Sequence, residues 1–218
     1  MYSFELKKAD SVAKAAALLA ESGGKPLAGG QSLVAAMKMR LSQPGTLVDL
    51  SGIAELRGIR REGDNVVIGA MTRHAEVAAS KDVKSAIPAL AALAEGIGDR
   101  QVRNMGTLGG ALANNDPAAC YPAAVLGLGA VVHTNKRKIA ADDFFKGMYE
   151  TSLAEGELIT AVSFPIPKKA AYMKFVQPAS RFALVGVFVA QTAGGVRVAV
   201  TGAAASVFRA TLLGDAVA

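Results

Sequence analysis

Two glycine-rich turns, far apart in the chain, constrain this sequence more than any other feature. One is Ala28-Gly29-Gly30-Gln31-Ser32. The other is Thr107-Leu108-Gly109-Gly110, which follows Arg100, Arg103 and Met105-Gly106 and runs on to Asn114-Asn115-Asp116-Pro117. Adjacent glycines lack Cβ atoms, so the backbone can take positive φ and approach a ligand closely. Consecutive amides in such turns can converge into anion-binding nests. Either pair alone reads as an ordinary turn. Two nests on separate elements suit a ligand with two linked phosphates, such as a dinucleotide.

Around these turns the chain reads as short alternating elements. Phe4–Leu6 is a strand, and Asp10 or Ser11 caps a helix with Val12, Ala15, Ala16, Leu18 and Leu19 on one face, stopped by Gly23-Gly24. Lys25–Ala28 reads as a brief buried strand entering the first glycine turn. A helix over Leu33–Met39 follows, whose first amides and dipole would face an anion, with Ser32 as cap, phosphate donor or both. With a strand at Thr46–Leu50, residues 1–50 make a small α/β lobe. Leu56–Ile59 and Val66–Gly69 form a hairpin. Thr72 caps a helix from near Arg73, and Ile87-Pro88 opens another to about Ala94. Gly96–Asp116 shows little periodicity and reads as a functional loop. Tyr121–Leu128 is helical, Ala130–Thr134 pairs with Arg137–Ala140, and the strand Glu157–Phe164 is closed by Pro165 and Pro167, where a domain boundary is predicted. Three apolar strands follow, Ala171–Val176, Leu184–Gln191 and Val196–Val200, the last two joined at Gly194-Gly195.

Bulk properties narrow the function. Cys120 is the only cysteine, which excludes an internal disulfide and an iron–sulfur cluster held by this chain alone. The two histidines, His74 and His133, are far apart and read as surface or strand residues, so no metal site is expected. No run approaches the roughly 18 apolar residues of a membrane helix, and the N-terminus has no signal pattern. A cytoplasmic protein without a membrane span is the expectation. The net charge of +6 calls for weighing a nucleic-acid partner. Yet the cations are scattered and lack interleaved aromatics, so an anionic cofactor plus an acidic partner surface explains the excess at least as well. No GxGxxG follows the first strand, and Gly127-Leu128-Gly129 continues to Val132 in a strand, which disfavours a Rossmann cofactor domain.

AGGQSL at 28–33 and TLGG…NNDPAACYPA at 107–123 closely resemble the FAD-binding medium subunit of molybdenum hydroxylases, the carbon monoxide dehydrogenase and xanthine dehydrogenase family. The likeness runs from Phe4 to about Arg209. It implies an α+β chain with the two-lobed FAD-binding fold of the vanillyl-alcohol-oxidase (PCMH) type. Lobe 1 would span residues 1–55 and lobe 2 residues 56–167. A small α+β domain at 168–218 would be incomplete beside the family's longer one, with Arg209–Gly214 as its final helix. By the same resemblance, Ala28, Gly29, Gly30, Gln31 and Ser32 hold one side of the FAD pyrophosphate and Thr107, Leu108, Gly109 and Gly110 the other. Asn114 and Asp116 contact ribityl or ribose hydroxyls, or simply form the turn before Pro117. Ile159 lies on the flavin ring or belongs to the core, and Lys174 is a further flavin contact.

The family role is electron transfer without a catalytic side chain on this subunit. A large molybdopterin subunit oxidises the substrate, and a small subunit passes electrons through two [2Fe–2S] clusters to FAD. An external acceptor (NAD, a quinone or oxygen) then takes them, in a dimer of heterotrimers. Three positions depart from the family pattern: Ala111 where many relatives have Asn, Cys120 where many have Asp, and Phe182 where a Tyr is common. Two other readings stay open: a self-sufficient FAD oxidoreductase of the same fold, and a basic nucleic-acid-binding module.

Overall fold

Ser11 opens the first helix with its own side chain, which accepts the Lys14 amide, and Gly23 closes it in the left-handed region at φ 57°. The computed structural model describes residues 1–216. Strand β1 (Glu5–Lys8) leads to helix α1 (Val12–Ser22), strand β2 (Lys25–Leu27), helix α2 (Leu33–Lys38) and strand β3 (Thr46–Asp49). The three strands form a parallel sheet in the order β1-β3-β2, with Leu6 opposite Leu47 and Pro26 opposite Val48. The second strand is not buried as expected: Lys25 and Pro26 are exposed. Proline has no N–H to donate to a ladder, so this strand takes the sheet edge.

After a 3₁₀ turn at Ala54–Leu56 come β4 (Ile59–Glu62) and β5 (Asn65–Gly69), then helices α3 (His74–Ala79), α4 (Lys81–Ala86), α5 (Pro88–Glu95), α6 (Arg100–Met105), α7 (Leu108–Asn114) and α8 (Tyr121–Leu128). Strands β6 (Val131–Thr134) and β7 (Lys138–Ala140), helix α9 (Ala141–Phe144), the small pair β8 (Phe145–Gly147) and β9 (Glu150–Thr151), and β10 (Ile159–Pro165) complete this part. Its antiparallel sheet runs β4-β5-β10-β6-β7.

Two expectations fail here for local reasons. Thr72 is not a helix cap: its hydroxyl donates to the Gly58 carbonyl at 3.1 Å and accepts the Gly58 amide at 3.2 Å, and α3 instead opens with the Glu76 carboxylate accepting the Arg73 amide at 2.7 Å. Gly96–Asp116 is not a loop but contains α6 and α7. Helices of six and seven residues are under two turns, too short to display a 3.6-residue period. Asp99 nevertheless caps the first by accepting the Val102 amide at 2.8 Å.

The C-terminal sheet, β11-β12-β13-β14, comprises β11 (Lys169–Val176), β12 (Ala183–Thr192), β13 (Gly195–Thr201) and β14 (Phe208–Arg209), and helix α10 (Thr211–Ala216) packs on β13. A small core unites α1 and β3 with Met71 and Leu158. The larger core joins Val66, Ile68, Val162 and Phe164 of the central sheet to Phe188, Ala190 and Ala199 of the C-terminal one. Helix α8 lies between them with all eight residues buried, which is why it carries no polar face.

One buried ion pair ties the β6–β7 turn to the strand that follows it. Glu157 accepts from Arg137 at 3.0 and 3.1 Å, from Thr134 at 2.7 Å and from the Ala154 amide at 2.8 Å. Its side chain is fully buried while Arg137 stays half-exposed. The Arg137 hydrogen bonds pull the Glu157 carboxyl from 4.5 down to about 2, outweighing burial, which acts the other way. A depressed pKa means this stabilisation is complete above pH 4.5 and is lost as pH falls towards 2. Glu157→Gln should therefore cost about 2–3 kcal/mol at neutral pH and flatten the acid limb. Urea midpoints measured between neutral and acid pH check it; parallel curves for wild type and variant would refute it.

Candidate functional site

The two glycine turns meet. A Cβ built on Gly29 would strike the Met105 carbonyl oxygen and lie 2.7 Å from the Met105 carbonyl carbon and 2.9 Å from the Gly106 Cα. One on Gly110 would lie 3.5 Å from the Ala28 Cβ. Gly30 takes φ 72°, which a side chain tolerates poorly. The chain therefore brings Gly29 against Met105–Gly106, and Ala28 near Gly110, because the glycines there carry no side chain.

The first turn is an open donor set. Among the described residues, the amides of Gly29, Gly30, Gln31 and Ser32 donate to no protein acceptor. Gln31 and Ser32 are exposed, and Gln31 Nε2 bonds the Gly29 carbonyl at 3.3 Å. Ser32 precedes α2 but makes no capping bond, so its hydroxyl remains available.

The second turn differs from the expectation of a matching nest. The Leu108 amide donates to Thr72 O at 3.0 Å and the Gly109 amide to Ala70 O at 2.8 Å. Both bonds pin the start of α7 to the end of β5. Leu108 is fully buried, and a Cβ on Gly109 would sit 2.6 Å from the Ala70 Cβ. Thr107 caps α7 by accepting the Gly110 amide at 3.2 Å, and its hydroxyl proton is left for another acceptor. This turn offers one hydroxyl and a close-approach surface rather than a row of free amides.

The remaining candidates divide. Asn114 is half-buried, and its side chain makes no bond to protein among the described residues. Asp116 has the turn role: Oδ1 accepts the Ala118 amide at 2.8 Å and Oδ2 accepts the Tyr149 hydroxyl at 3.4 Å. Ile159 is 7% exposed and sits in the larger core. Lys174 donates to Gly96 O at 2.6 Å and Arg181 O at 2.9 Å, and lies 3.6 Å from the buried Cys120 sulfur. Those contacts are with neither turn; they stitch β11 to the helical layer.

Two residues at this site escaped sequence reasoning. Asn115, not its neighbours, is the fully buried one. It ends α7 in the left-handed conformation and donates to Gly147 O, Glu150 O and Ser206 Oγ. An Asn directly after a helix pattern is a known C-cap signal, so the hint was present. His74 is the other: it is not a surface residue but is 5% exposed, its amide bonded to Gly106 O at 3.0 Å. His133 lies in a strand as expected, its Nε2 2.9 Å from the Ser163 hydroxyl. No helix among the described residues is long and apolar enough to cross a membrane.

Comparison with known proteins agrees with this geometry. Residues 2–167 match the family described as the FAD binding domain in molybdopterin dehydrogenase. The carbon monoxide dehydrogenase medium chain of Afipia carboxidovorans is 40% identical over 202 residues, covering 88% of this chain and 70% of that protein. The glyceraldehyde dehydrogenase medium chain of Sulfolobus acidocaldarius is 37% identical over 86% of this chain and 69% of its own length. A solved carbon monoxide dehydrogenase from Oligotropha carboxidovorans superposes with a TM-score of 0.92 at 36% identity, over 98% of this chain and 80% of that one. Paired turns, a two-lobed fold and these relatives converge: the chain belongs to the FAD-binding domains of the molybdopterin dehydrogenases, the medium subunits of the carbon monoxide and xanthine dehydrogenase family.

Proposed function

We propose that this chain is the flavin relay of a molybdenum-containing hydroxylase, taking electrons from [2Fe–2S] clusters on a small partner subunit and passing them to an external acceptor. The observation that carries the reading is the packing of Gly29 on Met105–Gly106 and of Gly110 near Ala28, which brings the turn with open amides at 29–32 onto the turn that contains Thr107. A diphosphate suits that turn because its oxygens accept and the amides of residues 29–32 are free to donate among the described residues. Bound FAD supplies the chemistry, accepting electrons singly and delivering them in pairs.

In this proposal Ala28, Gly29, Gly30, Gln31, Ser32 and Thr107 bind the pyrophosphate. Leu108 and Gly109 hold α7 in place, and Gly110 keeps the approach clear. Asn114 is the candidate for a ligand hydroxyl, Asp116 shapes the turn beside it, and Ile159 and Lys174 border the ring. Substrate oxidation falls to a large molybdopterin subunit, in a cytoplasmic dimer of heterotrimers. The natural units are lobes at 1–55 and 56–167 and the C-terminal sheet at 168–218.

Purified chain should carry, or take up on addition, one FAD per polypeptide with a yellow flavin spectrum. Chains with molybdopterin and iron–sulfur signatures should co-purify with it from the native source. Colourless protein that binds no added FAD would remove the reading. Flavin reduced by an organic substrate without any partner chain would favour the self-sufficient oxidoreductase instead.

A further inference from the structure

The Met105–Gly106 peptide is gripped from two sides. Gly29 covers one. On the other lies the imidazole of His74: a Cβ on Gly106 would meet its Nε2 at 2.5 Å and its Cδ2 at 2.9 Å. The His74 amide already donates to the Gly106 carbonyl, and Arg73 pairs with Thr107 in an isolated antiparallel bridge. Behind the imidazole stands the ring of Tyr121, fully buried, with centroids 5.2 Å apart. Tyr121 begins the completely buried helix α8. A column of contacts therefore runs from the centre of the protein through Tyr121, His74 and Gly106 to Gly29.

We propose that His74 is the positioning residue of the cofactor site, a wedge that sets the spacing of the two glycine turns by holding Gly106 against Gly29. The inference rests on the FAD reading above and names the part that keeps its cradle closed. The ring works by volume rather than by charge. Burial first, and then the Arg103 guanidinium, hold the His74 pKa down to about 4, so the imidazole is uncharged at neutral pH. Its Nδ1 has no hydrogen-bond partner among the described residues, so no carboxylate or carbonyl orients it for acid–base work. What it does have is a close fit at both ends: an aromatic ring at one and a bare α-carbon at the other. Close-packed interiors transmit such displacements because they do not compress.

The test is an FAD titration of the full chain by flavin fluorescence, with far-UV circular dichroism to check folding. His74→Ala should weaken FAD binding about 10–100-fold, whereas His74→Gln, which refills the space against Gly106, should stay within about threefold. Gly106→Ala should be as damaging as His74→Ala in the wild-type background, because its methyl collides with Nε2. In the His74→Ala background the same methyl keeps only its 3.2 Å approach to the Val102 carbonyl and should cost less than about threefold, a coupling that general loss of stability does not produce. If His74→Ala does not fold, His74→Asn, which draws back from Gly106, replaces it in the cycle. Wild-type affinity in the His74 truncation, or penalties that simply multiply, overturns the wedge. A wild-type chain that takes up no FAD overturns instead the cofactor reading beneath it.

Discussion

Gly29→Ala is expected to strip the chain of flavin while leaving it folded. The added methyl has nowhere to go: its near neighbours are the carbonyl carbon of Met105 at 2.7 Å and the Cα of Gly106 at 2.9 Å, both backbone. Backbone cannot rotate aside as a side chain does, so the turns must separate, and the open amides of residues 29–32 move away from Thr107. Donors misplaced by about 1 Å lose most of their value to a bound group. The loss in FAD affinity should exceed about 100-fold, or about 2.7 kcal/mol. The fold should survive, because the turn is only half-buried and the β3 ladder that anchors β2 is untouched. Gly23→Ala is the matched control. Gly23 has positive φ, at 57°, where Gly29 does not, and nothing among the described residues lies within 4 Å of its missing Cβ. That variant should lose about 1 kcal/mol of stability and keep its flavin. Equal flavin content in the two variants would show that turn packing does not govern binding.

Asn115→Ala is expected to be the most destabilising of the variants considered, by about 3–5 kcal/mol. Asn115 is wholly buried, and its amide nitrogen alone serves Gly147 O and Glu150 O at 2.8 Å and Ser206 Oγ at 3.1 Å. Its carbonyl accepts the Tyr149 amide at 3.1 Å. Truncation removes the donor that Gly147 O and Glu150 O share and puts alanine at φ 41°, where asparagine is better tolerated. One residue thereby joins the end of α7 to the β8–β9 pair and to the loop before β14. Urea unfolding at neutral pH measures the cost. A change below about 1 kcal/mol would mean that the hub is redundant. Asn114→Ala should leave stability nearly unchanged, since its side chain binds no protein group among the described residues.

Most element boundaries were legible because they depend on neighbours in sequence. Ser11 and Gly23 bracket α1, Pro88 opens α5, and Asn135-Lys136 and Gly194-Gly195 turn hairpins, each through contacts spanning a few residues. The helices at Arg100–Met105 and Leu108–Asn114 are not legible: they are short and interrupted by Gly106, and the second is held by tertiary bonds to Thr72 and Ala70. The same bonds occupy the Leu108 and Gly109 amides that a nest at the second turn would need. Sequence marks where glycines allow close approach, but not which amides are already engaged.

By itself, then, the sequence determined the local units and placed two side-chain-free turns in a chain with the motifs of its family. The tertiary structure alone decided that those turns touch, that among the described residues the amides of one are free while those of Leu108 and Gly109 in the other are occupied, and that His74 and Asn115 are buried. The physical reason is range. Caps and hairpin turns are settled by a few adjoining residues, whereas a hydrogen bond from Gly109 to Ala70, or a methyl's worth of space between Gly29 and Gly106, exists only once the whole core has packed.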